Sequence, residues 1–188
     1  MPNLILASGS PRRKELLQQI QLSFSIEVSN ADETFAPELQ PHEVVMELSK
    51  RKAVSVAAQH PESFVIGSDT VVVFNNEIMG KPSDSEHAKE MLRTLSGNTH
   101  SVYTGVAIVN NKKEKMFYKK TDVTFWELTE EEIETYTASG EPLDKAGGYG
   151  IQGIGAFLVK EIKGDYFSVV GLPISQVYRS LKEMGYHP

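Results

Sequence analysis

The sequence predicts an α/β fold built on a mixed sheet, and three observations carry that expectation. Short apolar runs alternate with helical patterns through the first half of the chain, as parallel strands with crossover helices require. Paired β-branched stretches separated by polar turns follow in the second half. The chain has 188 residues, 40% of them apolar, which suits one domain, or one domain with two lobes, and a sizeable core.

Residues 4–7 read as a short buried strand, followed by the turn-prone Ser8, Gly9 and Ser10 and by Pro11, which opens a helix carrying Leu16, Leu17 and Ile20. A second helix is predicted over 41–59, where Val45, Leu48, Lys52 and Val56 follow the three- and four-residue steps of one face. Residues 64–74 are apolar and β-branched except for Gly67, Ser68, Asp69 and Thr70, and Asn75-Asn76 then suits a hairpin turn leading to Ile78 and Met79. In the third helix Ser83 and Glu86 have capping-box spacing, Ala88, Met91, Leu92 and Leu95 share a face, and Gly97 suits the residue past the end.

Residues 102–109 and 116–128 predict a pair of antiparallel strands with a polar turn over 110–114. Thr129 and Glu132 form a second capping box, for a short helix ending near Gly140. A glycine-dense segment, 141–155, precedes the apolar run 156–159 and a strand pair expected around Gly164. Pro173 starts the last helix, with Ile174, Val177, Tyr178, Leu181 and Met184 on one face and Gly185 at its end.

Composition excludes several classes of function. There is no cysteine, hence no disulfide framework, thiolate nucleophile or cysteine-based metal site. The net charge of −6 argues against broad electrostatic binding to nucleic acid or anionic lipid, so any phosphate must be held locally. The apolar run after Met1, Pro2 and Asn3 is too short for a signal peptide or a membrane span, which points by default to the cytoplasm.

Five stretches of the chain could carry chemistry. Ser8 to Lys14 places a Gly/Ser turn at a helix start, where backbone N–H groups bind phosphate. Arg12, Arg13 and Lys14 crowd a first turn whose dipole favours acids, a conflict that an anion would relieve; a solvated cluster pairing with Glu15 is the simpler alternative. Asp69 is an acid inside an apolar strand pattern, to be satisfied by a metal, a lysine or an attacking water, unless 67–70 is merely a turn. Lys52 and Lys81 suit point-charge phosphate ligands, or else a lysine snorkelling from its apolar stripe and a solvated turn residue. In 141–155 a ligand could lie against bare backbone while the Gln152 amide reads a base edge; the alternative, a loose surface loop, fits poorly with Tyr149 and Ile151. Glu33 and His100 carry weaker signals, and a structural hydrogen bond is the favoured role for His100.

Taken in order, these residues resemble the Maf family of nucleotide pyrophosphatases over nearly the whole chain. The resemblance lies in Leu4-Ile5-Leu6-Ala7-Ser8-Gly9-Ser10-Pro11-Arg12-Arg13, Glu33, Lys52, Gly67-Ser68-Asp69-Thr70-Val71-Val72, Gly80-Lys81-Pro82, Ser96-Gly97 with His100, Glu141-Pro142-Leu143-Asp144-Lys145-Ala146-Gly147 and Gly150-Ile151-Gln152-Gly153. It implies a long, bent mixed sheet flanked by helices, with the nucleotide in a central cleft between two lobes, as in inosine triphosphate pyrophosphatases, and often a homodimer.

The family's general base matches Asp69. Its triphosphate cations match Arg13, Lys52 and Lys81, with Ser8 in the phosphate loop and Glu33 near a divalent ion, Mg²⁺ or Mn²⁺, that Asp69 shares. Arg12, Thr70 and Gln152 resemble the branch that prefers dTTP, UTP and some modified uridine nucleotides, whereas the 7-methyl-GTP branch carries Trp, Gln and Glu there. Ser68 departs from the alanine common in the pyrimidine branch. The expectation is therefore a pyrimidine nucleoside triphosphate pyrophosphatase. A nucleotide-sensing regulator of division without turnover is the alternative from another class, and a structural adaptor a third.

Overall fold

The computed structural model describes residues 3–110 and 113–187. Among the described residues, seven strands form one mixed sheet in the order β2 (Ser25–Ile26), β1 (Leu4–Leu6), β3 (Phe64–Phe74), β5 (Thr99–Asn110), β6 (Lys113–Phe125) and β7 (Val159–Lys163), with β4 (Glu77–Met79) paired to β3. The helices are α1 (Pro11–Gln19), α2 (Pro41–Ala57), α3 (Ser85–Leu95), α4 (Glu130–Ala138), α5 (Tyr166–Val170) and α6 (Ile174–Met184). The expected α/β class with a mixed sheet is what the chain adopts. The turn expected over 110–114 lies partly outside the described residues. No described helix is long and apolar enough to cross a membrane.

The chain divides into two compact units. The first comprises Met1–Asp69, Thr104–Lys119 and Gly171–Pro188. Here β1 is buried at all three residues and pairs in parallel with β2 and with β3, Leu4 opposite Phe64 and Leu6 opposite Ile66. A continuous apolar run buried on both faces is what a parallel strand demands. Its core joins Ile5, Ala7, Val65 and Ala107 to Ala53 and Val56 of α2.

Two glycines allow α2 to lie almost backbone to backbone on the strands. A Cβ built at Gly67 would come 2.2 Å from the Ser49 carbonyl oxygen and 2.7 Å from the Ala53 nitrogen, and one at Gly105 would come 2.3 Å from the Val45 carbonyl oxygen. Val45, Ser49 and Ala53, at four-residue steps, therefore form the contacting face.

The second unit comprises Thr70–Tyr103 and Lys120–Val170. Val72, Leu92, Leu95, Val102, Val123, Phe125, Ile133, Tyr136, Tyr149 and Leu158 make its core. The β3–β4 hairpin turns through Asn75 and Asn76 at φ 49° and 66°, with Phe74 opposite Glu77, the left-handed pair that a two-residue primed turn needs. Gly97, just past α3, has φ 67° and supplies the expected left-handed end.

Five local expectations are corrected. The cap of α3 is Asp84, not Ser83: its carboxylate accepts from the His87 N–H at 2.8 Å, displacing the hydroxyl one residue earlier. No second strand follows Gly164, because Asp165 accepts from the N–H groups of Phe167 and Ser168 and so caps α5. The helices α1 and α2 end at Gln19 and Ala57, short of Ile20 and Gln59. Strand β6 ends at Phe125, since the Trp126 N–H turns to the Leu158 carbonyl and the Leu128 N–H to the Ser96 hydroxyl.

Candidate active site

Three segments of the first unit converge on one lysine. The α2 face that meets Gly67 also carries Lys52 forward, and its Nζ lies 2.8 Å from Asp69 Oδ1 and 2.8 Å from Glu33 Oε1. Residues 67–70 are strand and not a turn, so Asp69 is an acid in a largely buried position. Its partner is the lysine on the apolar stripe, whose side chain is 13% exposed. Lys52 is thus held by carboxylates instead of snorkelling to water. Glu33 reaches in from an exposed loop, its side chain 68% exposed.

The cation at the start of α1 is built in as firmly. Arg13 Nε donates to the Gly171 carbonyl at 2.8 Å, and its Nη1 donates to Ser8 Oγ at 3.2 Å. Burial pushes the Arg13 pKa down, opposed by the attraction of Asp69 and to a lesser degree Glu33, yet a guanidinium stays charged. The reading of this segment as a wholly solvent-facing basic cluster therefore fails for Arg13. Ser8 is buried and accepts from the Ser10 N–H at 3.2 Å. The Ser10 side chain makes no capping bond and no acid occupies the first turn of α1, so the expected conflict between first-turn cations and helix dipole is present. Arg12 is half-buried.

Thr70, Lys81 and Gln152 belong to the second unit. Thr70 follows Asp69 in β3, and Lys81 is exposed in the loop between β4 and α3. Gln152 is half-buried in extended backbone just before the 3₁₀ turn Gly153–Leu158. The segment around Gln152 is tightly built, with Tyr149 and Ile151 buried and the Gly150 N–H donating to the Tyr136 hydroxyl at 3.0 Å. His100 is structural as expected: buried, 2.6 Å from the Tyr149 hydroxyl, its ring edge-on to Phe125.

The described residues contain no group of three His, Cys, Asp or Glu side chains able to hold a metal. Glu33 and Asp69 fit a narrower role. Both touch the same ammonium at 2.8 Å, so two carboxylates converge on one point where a cation already sits, the donor type that Mg²⁺ and Mn²⁺ take. Two carboxylates with no third suit a cation that arrives bound to phosphate oxygens.

The sequence pattern that defines Maf-like proteins matches residues 3–184. The chain belongs to the Maf family. Among curated relatives, a dTTP/UTP pyrophosphatase of Bacillus cytotoxicus is 56% identical over 183 residues, covering 97% of this chain and 96% of that protein. A dTTP/UTP pyrophosphatase of Bacillus mycoides is likewise 56% identical with the same coverage. Of solved structures, the Staphylococcus aureus Ham1 protein is 13% identical with a TM-score of 0.49, over 66% of this chain and 72% of that one.

Two contributors to this Maf site escaped the sequence. The Gly171 carbonyl fixes Arg13 from 158 residues away and is also 3.1 Å from the Ser68 hydroxyl, itself 2.9 Å from the Gly105 carbonyl. The glycines at 67 and 105 set the depth of α2 and hence of Lys52. A serine in the middle of a buried strand, and Gly171 just ahead of Pro173, were the only signals available.

Proposed function

We propose that this chain hydrolyses dTTP and UTP between the α- and β-phosphates, giving the monophosphate and pyrophosphate. The observation that carries the reading is Lys52 shared by Asp69 and Glu33 at 2.8 Å each, with half-buried Arg13 in their electrostatic field. Acids and cations from four separated segments are the equipment of phosphoryl transfer. The names and 56% identity of the relatives support the same activity; a sensor without turnover finds no such support.

In this reading Ser8 and the start of α1 receive the phosphates, and Arg13, Lys52 and Lys81 balance their charge. Asp69 orients a water and takes its proton as the oxygen attacks the α-phosphorus. The α–β phosphoanhydride bond breaks, and pyrophosphate leaves with the bonding electrons. A Mg²⁺ or Mn²⁺ held by Glu33 and Asp69 would neutralise phosphate charge and stabilise the leaving group. Arg12, Thr70 and Gln152 enter from the sequence resemblance alone, with the Gln152 amide complementing the O4 and N3–H edge of uracil or thymine. We place the protein in the cytoplasm as a homodimer that binds neither nucleic acid nor membrane. The lack of cysteine fits a reducing compartment, the charge of −6 argues against nucleic-acid and lipid partners, and light scattering reads the stoichiometry.

The test is pyrophosphate release over a panel of triphosphates with Mg²⁺ or Mn²⁺. Wild type is expected to prefer dTTP and UTP, and Asp69→Asn to fold and bind nucleotide while losing most turnover. Near-normal release by Asp69→Asn removes the residue from catalysis, and equal turnover of every nucleotide removes the assigned selectivity.

A further inference from the structure

The acid that reaches Lys52 from outside the sheet is carried by a loop, and its side chain is 68% exposed. The residue beside Lys52 grips that loop. Arg51 Nη1 donates to the Thr34 carbonyl at 2.6 Å and to the Asp32 carbonyl at 3.3 Å, the two peptide oxygens that flank Glu33. Its Nε donates to Glu47 Oε1 at 2.9 Å, one turn earlier on α2, which fixes the guanidinium in the orientation that faces the loop. The loop closes on itself from the other side. Asp32 accepts from the Thr34 N–H at 2.9 Å and from the Thr34 hydroxyl at 2.7 Å.

We propose that Arg51 is a positioning residue: by gripping the backbone on both sides of Glu33 it presents that carboxylate to the cation accompanying the nucleotide. Consecutive residues of one helix then divide the work, Arg51 holding the main chain of the loop and Lys52 its side chain. The planar fork holds Nε on Glu47 and Nη1 on the two carbonyls from separate, fixed nitrogens, whereas an ammonium offers its three donors from a single point at the end of a flexible stem. Residues that orient a ligating carboxylate carry a measurable share of ion affinity.

The inference rests on Glu33 serving the ion, so Arg51→Met, Arg51→Lys, Glu33→Gln and Arg51→Met/Glu33→Gln are compared. Mn²⁺ binding is followed by electron paramagnetic resonance in the presence of the non-hydrolysable α,β-imido analogue of dUTP, and backbone order by amide exchange. Arg51→Met is expected to weaken Mn²⁺ binding ~10-fold and to speed exchange at residues 33–35 with the body of α2 unchanged. Arg51→Lys stays impaired, and the double variant matches Glu33→Gln alone. Additive losses in the double variant, full rescue by lysine, or unchanged exchange at 33–35 overturns the positioning role while leaving Glu33 in place. Wild-type Mn²⁺ affinity in Glu33→Gln overturns the reading of Glu33 itself and this inference with it.

Discussion

Replacing Gly67 by alanine tests whether the depth of α2 sets the chemistry. The new Cβ would come 2.2 Å from the Ser49 carbonyl oxygen and 2.7 Å from the Ala53 nitrogen, about 1 Å short of ordinary contact. Both atoms are main chain, so no rotamer change relieves the overlap and the helix itself must move. Overpacking costs ~1–3 kcal/mol, and a rigid helix puts this case at the upper end. At ~2–4 °C per kcal/mol for a protein of this size, the melting temperature is expected to fall by about 6–12 °C.

Lys52 lies between Ser49 and Ala53 in sequence, and Asp69 lies two residues beyond the substituted position. A shift of ~1 Å therefore opens the 2.8 Å pair, and misplacement on that scale can cost ~10²-fold in rate. Thermal unfolding and pyrophosphate release, the latter measured well below the variant's melting point, read the two effects separately. Wild-type stability would show that α2 is not wedged at Gly67. Lost stability with full turnover would show that its depth does not govern the site.

Lys52→Met is expected to lower kcat/KM ~10²- to 10³-fold, the usual cost of losing one charge-stabilising donor; a loss below about threefold in the pyrophosphate assay removes it from that role. Ser68→Ala deletes a hydroxyl whose single proton serves the Gly105 or the Gly171 carbonyl, so ~1 kcal/mol of stability is lost. Turnover of dTTP should stay within about twofold, and a larger drop in the same assay would bring the hydroxyl into the reaction. Burial holds the His100 pKa at about 4 instead of 6.5, so the unfolded chain binds the extra proton first. The stability tied to a neutral His100 is full above pH 6.5 and declines by about 3 kcal/mol as pH falls to 4. Denaturant unfolding across that window should show a shallower loss in His100→Phe, and an identical slope refutes the assignment.

The elements that could be read from the chain were those whose cause is local. The capping box of Thr129 and Glu132 caps α4 as expected, with the Glu132 carboxylate 2.7 Å from the Thr129 nitrogen, because donor and acceptor are three residues apart. The Asn75-Asn76 turn and the face of α3 were legible for the same reason. Asp69 stood out because a carboxylate in an apolar run needs a partner, and Lys52 because it interrupts an apolar stripe; that each answers the other is a contact across 17 residues that no periodicity encodes. The hold of Gly171 on Arg13 spans 158 residues, and the approach of α2 to Gly67 and Gly105 depends on side chains that are missing. Competition between neighbouring polar groups misled the reading elsewhere, as when Asp84 took the cap from Ser83 and Asp165 began a helix where strand was expected.

The start of α1 has a practical consequence. Three basic residues stand at the start of α1, without an acid in the first turn or a side-chain hydroxyl cap from Ser10, and a helix start of that kind favours a bound anion. Occupancy should therefore register as a rise in melting temperature, growing with the logarithm of concentration once the ligand exceeds its dissociation constant. Pyrophosphate, nucleoside monophosphates and imido triphosphate analogues can be ranked by that rise alone, so recognition of the phosphate chain and of the base can be told apart before any bond is cut.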